Sequence, residues 1–339
     1  MSNSFAATNK NLAAAKTQTY AWQPSATLAT LQCRAQILKI IRDFFAAREV
    51  MEVETPVLAH TSVTDPFIES MPVFFRKHPQ KEAQQYYLQT SPEYAMKRLL
   101  AAGSGAIYQI TKAFRQGEVG RFHNPEFTML EWYRPGFNHH QLMDEVDLLL
   151  QCLCQTQPAE RKTYAALFDS FLQIDVHTAS VRELKACALA QQLTIVDDNF
   201  DKDTWLNLLL THCIEPHLGT EKPFFIYDFP ASQAALARIQ TGPQAVASRF
   251  EVYVRGVEIA NGFHELQDAH EQRKRFENNL KQRQALGLAP ILIDEFLLAA
   301  LEKGLPDCAG VALGIDRLIM LITGLPTLAQ VMSFDFSRV

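Results

Sequence analysis

Three short segments of this chain carry side chains that could do chemistry. In the first, Phe114-Arg115 is followed by His123-Asn124-Pro125-Glu126-Phe127; in the second, residues 251–265 read EVYVRGVEIANGFHE; in the third, residues 310–317 read GVALGIDR. An arginine presents a planar, permanently charged fork suited to phosphate. Glu251, Glu258 and Glu265 recur at intervals of seven. Carboxylates aimed at one space suit a magnesium ion that bridges phosphate oxygens, because magnesium takes one or two protein carboxylates and leaves its other positions to the nucleotide. Gly310 and Gly314 let backbone approach a flat or anionic ligand, and a helix starting near Asp316 offers free N–H groups beside Arg317.

Each feature also has an ordinary structural reading. A two-residue turn at Arg255-Gly256 sets Tyr253 opposite Glu258 and leaves Glu251 on the same face as a diagonal neighbour; the pair holds a cation or forms a solvated acidic face. Asn261-Gly262-Phe263 reads as a turn that returns Glu265 to the site, where it either holds an ammonium group or caps the following helix. Arg115 contacts phosphate or pairs with Glu118 or Glu126. His123 precedes an Asn-Pro turn and so positions a loop rather than acting as a base. The glycine-rich junction is neither a Walker A loop nor a GxGxxG fingerprint. No serine or cysteine nucleophile with a paired histidine stands out.

The elements that must position these residues follow from periodicity. Residues 1–30 are polar and read as a tail, ordered at most near Trp22 and Pro24, and residues 31–339 read as a single domain, with no composition break to mark a second. Leu31, Ala35, Leu38, Ile41 and Phe45 recur at helical spacing, and alternation over 50–55, stopped by Pro56, predicts a strand. Ser91 and Pro92 open a helix. Strands are predicted over 106–111, 127–133, 224–227, 249–254 and 257–260, helices over most of 139–220, and one helix over 265–286. Strands and helices come in runs, so the fold class is α+β with a mainly antiparallel sheet.

Composition sets bounds. Of 339 residues, 47% are hydrophobic, ample for a core, and the net charge of −5 argues against indiscriminate nucleic-acid binding while leaving local basic patches open. Six cysteines without a CxxC pair suggest reduced thiols rather than disulfides or zinc. The lack of a membrane-length apolar run or a signal-peptide core predicts a cytoplasmic protein.

The order of these segments resembles the catalytic core of class II aminoacyl-tRNA synthetases, over roughly residues 30–339 and most closely in the lysyl branch. Glu54-Thr55-Pro56 sits where motif 1 ends, Phe114-Arg115 begins motif 2, and Gly310–Arg317 matches motif 3. Runs such as SPEYAMKRLLAAGSG, HNPEFTMLEWYRPGF and EIANGFHEL are similar to a group of lysyl paralogues without the anticodon-reading domain. That resemblance implies activation of (R)-β-lysine with ATP and Mg²⁺, then transfer to a lysine side chain of elongation factor P, by a homodimer that reads no anticodon. It implies that Arg115 binds the α-phosphate and Arg317 the γ-phosphate as the catalytic pair. Gln116, Gly117, Asn124, Glu258, Ile259 and Gly314 would line the ATP site, with Glu251 and Glu258 on the metal. Ser91, Pro92, Glu93, Tyr133, Glu265 and Ala312 would form the amino-acid pocket.

Two departures stand out. Lysyl enzymes carry Glu two positions after the motif 2 arginine, whereas here Glu118 is three after, which puts the adenine contacts of residues 116–118 in question. Their motif 3 carries a middle glycine where this chain has Ala312, either a packing residue or a methyl that disfavours α-lysine. The rival readings are another amino-acid-activating or amidating class II ligase and a non-catalytic, synthetase-like subunit. Retention of Arg115, Glu251, Glu258 and Arg317 argues against the second.

Overall fold

A computed structural model describes residues 22–194 and 200–339; residues 1–21 of the expected tail lie outside the described residues. The first helix, α1 (Leu28–Ala46), buries Ile37, Ile41, Phe44 and Phe45 on one stripe. Thr27 caps it by accepting from Thr30 N, so it starts three residues ahead of Leu31. The residues before it are tied down rather than trailing: Ser25 N donates to Ser333 O at 2.8 Å and Ala26 N to Met332 O at 3.0 Å.

After α1 come the short β1 (Met51–Glu52), a small sheet of β2 (Leu58–Ala59), β3 (Pro72–Phe75) and β4 (Gln84–Leu88), and α2 (Glu93–Ala101). The long strands β5 (Ile107–Phe114) and β6 (Glu126–Pro135) flank the Arg115 loop, and α3 (His139–Cys154) follows. A polar strand the sequence did not announce, β7 (Glu160–Thr163), precedes α4 (Tyr164–Leu172), α5 (Val181–Ala190) and α6 (Lys202–Leu209). The remainder runs β8 (Phe224–Pro230), β9 (Ile239–Gln240), β10 (Val246–Val254), β11 (Val257–His264), α7 (Ala269–Ala285), α8 (Glu295–Gly304), β12 (Cys308–Gly314) and α9 (Ile315–Thr323).

The main sheet is ordered β1-β5-β6-β12-β11-β10-β8-β7, with β9 on β10. Its centre is antiparallel and only the β1–β5 and β7–β8 pairs at its ends are parallel, so the fold is α+β as the runs of elements predict. Period-two alternation divides the sheet into two faces. Tyr108, Leu130, Trp132, Val311, Leu313, Val252 and Phe250 enter the main core with residues of α1, α3 and α9. The intervening residues face the other way: Gln109, Glu131, Ala312, Asn261 and Glu251 are consecutive cross-strand partners and form a row across five strands that is polar but for Ala312.

Two local expectations need correction. Asn261-Gly262-Phe263 is not a turn but the middle of β11, paired with β10 on one side and β12 on the other. Gly262 is required there by packing, since a Cβ would lie 2.3 Å from the Phe250 ring. The strand over 50–55 contracts to Met51–Glu52, because only those residues pair with Ile107 and Tyr108.

Candidate active site

The β10–β11 hairpin is built by its turn. Arg255 and Gly256 both have positive φ, 51° and 73°, the backbone of a tight hairpin turn whose twist matches its strands. Tyr253 therefore pairs with Glu258 as the spacing predicts; a bulge then shifts the register so that Glu251 faces Asn261. The bulge keeps Glu251, Glu258 and Asn261 on the polar face. Ile259, expected at the nucleotide, is 2% exposed with its side chain in the core beneath, because the same bulge turns it inward, so its backbone alone is left to the polar face.

Glu251 is braced by Arg249 Nη2 and by Tyr253 Oη at 2.6 Å. Tyr253 also contacts Glu215 Oε1 at 3.2 Å. Burial, then the Glu251 charge, push the Glu215 carboxyl up to about 7. With its own proton Glu215 donates to Tyr253, leaving the hydroxyl hydrogen for Glu251. Burial and then Glu251 push the Glu258 carboxyl up as well, against Arg317 and Arg249. The Glu258 side chain is 39% exposed, so water at that opening screens the effect. A cation beside Glu251 and Glu258 would offset their repulsion. Among the described residues no group of three or more His, Cys, Asp or Glu side chains forms a metal cage, so a cation there depends on these two and on its ligand.

Arg317 is held on three sides: Nε donates to Phe122 O at 3.1 Å, Nη1 to Glu258 O at 2.8 Å, and Nη2 to His123 Nε2 at 2.8 Å. Arginine can only donate, so His123 Nε2 accepts and its proton sits on Nδ1. Burial and then Arg317 lower the His123 pKa, consistent with that neutral form. His123 thus orients Arg317. Asp316 faces away from the site: it accepts from Arg34 Nη1 and from Thr128 N, both at 2.6 Å, and ties α9 to α1 and β6. Gly314 is the residue before α9, with no side-chain cap.

Arg115 follows β5. Its Nη1 lies 3.7 Å from Glu118 Oε1, its guanidinium stands 5.2 Å from the centre of the Phe127 ring, and its buried Nε has no hydrogen-bond partner. An unpaired buried donor on a permanent cation fits an anionic ligand. Glu126 pairs elsewhere, with Lys112. Gln116 is exposed, its backbone N–H bonded to Glu69 O, and Gly117 has a φ of 80°. Asn124 is committed within the protein, donating to Glu126 O at 2.6 Å and accepting from Phe336 N at 3.0 Å; it borders a cavity of about 390 Å³ with Arg34 and Asp316.

Ser91, Glu93, Tyr133 and Glu265, expected to form the amino-acid pocket, come together in one buried cluster, with two members the sequence reading missed. Lys97 is 2% exposed and contacts Glu93 Oε1 and Glu265 Oε2, each at 2.6 Å. Burial opposes its charge, but the two carboxylates outweigh that and raise its pKa. Glu131, also 2% exposed, accepts from Ser91 Oγ and Tyr133 Oη, both at 2.7 Å. Burial and then Glu93 push Glu131 up to about 8; burial pushes Glu265 up to about 7 despite Lys97. Pro92 precedes α2 without a side-chain cap, and Ser91 Oγ accepts from Glu93 N at 3.1 Å. Glu265 is no helix cap; Asp268 does that for α7. Ala312 sits between Glu131 and Asn261 in register.

Both missed residues had a signal. Lys97 follows Glu93 by four on a helix, and Glu131 is the polar member of an alternating apolar strand.

A polar row on an antiparallel sheet, an arginine at each side and a buried acid pocket agree with the family match. Residues 13–338 match the family described as tRNA synthetases class II (D, K and N), and the chain belongs to it. Among curated relatives, the elongation factor P–(R)-β-lysine ligase of Salmonella paratyphi B is 51% identical over 322 residues, covering 95% of this chain and 99% of that protein. The enzyme of the same name from Vibrio atlanticus is 52% identical over 318 residues, covering 94% and 98%.

Proposed function

We propose that this chain is an ATP-dependent ligase that activates (R)-β-lysine and transfers it to a lysine side chain of elongation factor P. The observation that carries this reading is the acid pocket. Glu93 and Glu265 pair with one ammonium, Lys97, and Glu131 beside them is held by Ser91 and Tyr133, so the three carboxylates when ionised leave two negative charges to be matched. A substrate with two ammonium groups supplies them, and charge-assisted hydrogen bonds hold it.

In the first step the substrate carboxylate attacks the α-phosphorus of ATP; an acyl–phosphate bond forms, the α–β bridge breaks and pyrophosphate leaves. Arg115 stabilises charge at the α-phosphate through its unpaired Nε, and Arg317, oriented by His123, holds the γ-phosphate. Glu251 and Glu258 would hold Mg²⁺, which when bound neutralises phosphate charge. Gln116, Gly117 and Gly314 line the nucleotide on its exposed side. Asn124 supports this loop through Glu126 and Phe336 rather than by direct contact. In the second step the acceptor amine attacks the acyl carbon, loses a proton, and AMP leaves. Ala312, beside Glu131, sets the preference for the β-amine. No helix among the described residues is long and apolar enough to cross a membrane; we further propose a cytoplasmic homodimer.

ATP–pyrophosphate exchange with Mg²⁺, comparing (R)-β-lysine with α-lysine, tests the reading. Exchange that favours (R)-β-lysine and disappears in Arg317→Ala supports it. Exchange favouring α-lysine, or none with either, overturns it.

A further inference from the structure

The β3–β4 hairpin supplies none of the residues assigned to the activation step, yet its root lies at the site. Gln89 and Thr90 join β4 directly to Ser91, Phe114 N donates to Gln89 O at 2.9 Å, and Gln116 N donates to Glu69 O at 2.8 Å in the segment leading into β3. From Ser91 to Lys81 is a span of ten residues, at most about 36 Å, so the tip stands within a small protein's width of the chemistry.

That tip is unusual in this chain. Residues 74–83 read FFRKHPQKEA, with three cations against one acid, Glu82, in a protein of net charge −5. Residues 76–81 are all exposed, and Arg76, Lys77 and Lys81 have no ion-pair partner among the described residues; Lys274 and Lys303 are likewise unpaired, but here three such cations fall within six positions. Beside them Phe74 is 66% and Phe75 45% exposed. Phe75 is backed by Tyr86 at 6.0 Å, edge to face, and Tyr86 by His60 at 4.5 Å. Aromatic groups with unpaired cations beside them suit a protein interface whose opposing face is acidic.

We propose that this hairpin is the docking surface for the acceptor protein and binds an acidic face flanking its acceptor lysine. The inference rests on the proposed reaction, which requires a folded protein to deliver an amine from outside. The unpaired cations attract the acidic face, and Phe74 supplies apolar contact.

The test uses the full chain with Arg76→Glu, Lys77→Glu and Lys81→Glu combined, a milder Gln triple variant, and Phe74→Ala. Three readouts are taken: exchange with (R)-β-lysine, transfer to elongation factor P, and direct binding of unmodified elongation factor P by fluorescence anisotropy. The expected result is unchanged exchange, with KM for elongation factor P and its Kd raised at least about tenfold by charge reversal, less by the Gln set. Wild-type binding weakens with salt and the variants' binding does so less. Unchanged KM and Kd overturn the proposal. Absence of exchange in the wild type, with elongation factor P binding still lost in the variants, would remove the proposed reaction and keep the surface.

Discussion

Gly310 is the point at which the acid pocket has least room. A Cβ there would lie 2.3 Å from Tyr133 Cε1 and 2.6 Å from Glu265 Oε1, whereas ordinary contact begins at 3.4 Å. Gly310→Ala therefore requires the Tyr133 ring to retreat by roughly 1 Å. The ring has nowhere to go: it is 2% exposed, its strand is paired on both sides, and its hydroxyl is bonded to Glu131. Overpacking of this kind costs about 1–3 kcal/mol. Displacing Tyr133, Glu131 and Glu265 by that distance lowers kcat/KM by about 10²-fold. The assay is pyrophosphate exchange at varied (R)-β-lysine and varied ATP, with urea unfolding alongside. The loss should fall on the amino acid, with KM for ATP near normal, because the added methyl faces neither Arg115 nor Arg317. Gly242→Ala, whose Cβ has its nearest neighbour at 3.9 Å, is the control and should behave as wild type. A Gly310→Ala enzyme with wild-type (R)-β-lysine kinetics would refute the reasoning.

Other predictions follow from the same pocket. Lys97→Met strands Glu265 and Glu93 and costs about 3 kcal/mol at pH 8, but less at pH 6, where Glu265 takes a proton; urea unfolding at both pH values checks this, and a pH-independent loss would contradict it. Glu131 and Glu265 have folded pKa values raised to about 8 and about 7, so their contribution to stability is full below the ordinary carboxylate range and is lost as pH rises through 7–8. An ammonium substrate binds the ionised forms, so KM for (R)-β-lysine should fall between pH 6 and 8, with proton release measurable by calorimetry in two buffers; a flat profile without release would count against the pocket. Ala312→Gly should narrow the β- over α-lysine preference by about tenfold in exchange, and an unchanged ratio rules out Ala312 as its source.

What the sequence disclosed were features with local grammar. Arg255-Gly256 dictated the hairpin and hence the Tyr253–Glu258 pairing, and period two assigned the long strands, although β5 runs on to Phe114 and β11 to His264. The Asn261-Gly262 pair misled for a physical reason: asparagine followed by glycine favours a turn, but the glycine here makes room for Phe250, a contact set by packing across strands. Lys97 escaped notice because a lysine on an amphipathic helix normally reaches water; only the fold brings Glu265, 168 positions later, over it. Asp316 looked like part of a ligand-binding helix start, and its bond to Arg34 could not be read from either segment alone.

That Asp316–Arg34 bond joins residues 282 positions apart, and Ser25 and Ala26 are bonded to Ser333 and Met332. During synthesis at about 5–20 residues per second, the first helix waits roughly 14–56 s for its partner to be made. Until then Arg34 has no carboxylate and the apolar stripe of α1 lacks α9. Arg317, one residue beyond Asp316, reaches His123 only after that wait. The nascent chain thus acquires the arginine proposed to hold phosphate near the end of synthesis, and a ribosome-bound fragment ending before β12 would lack it.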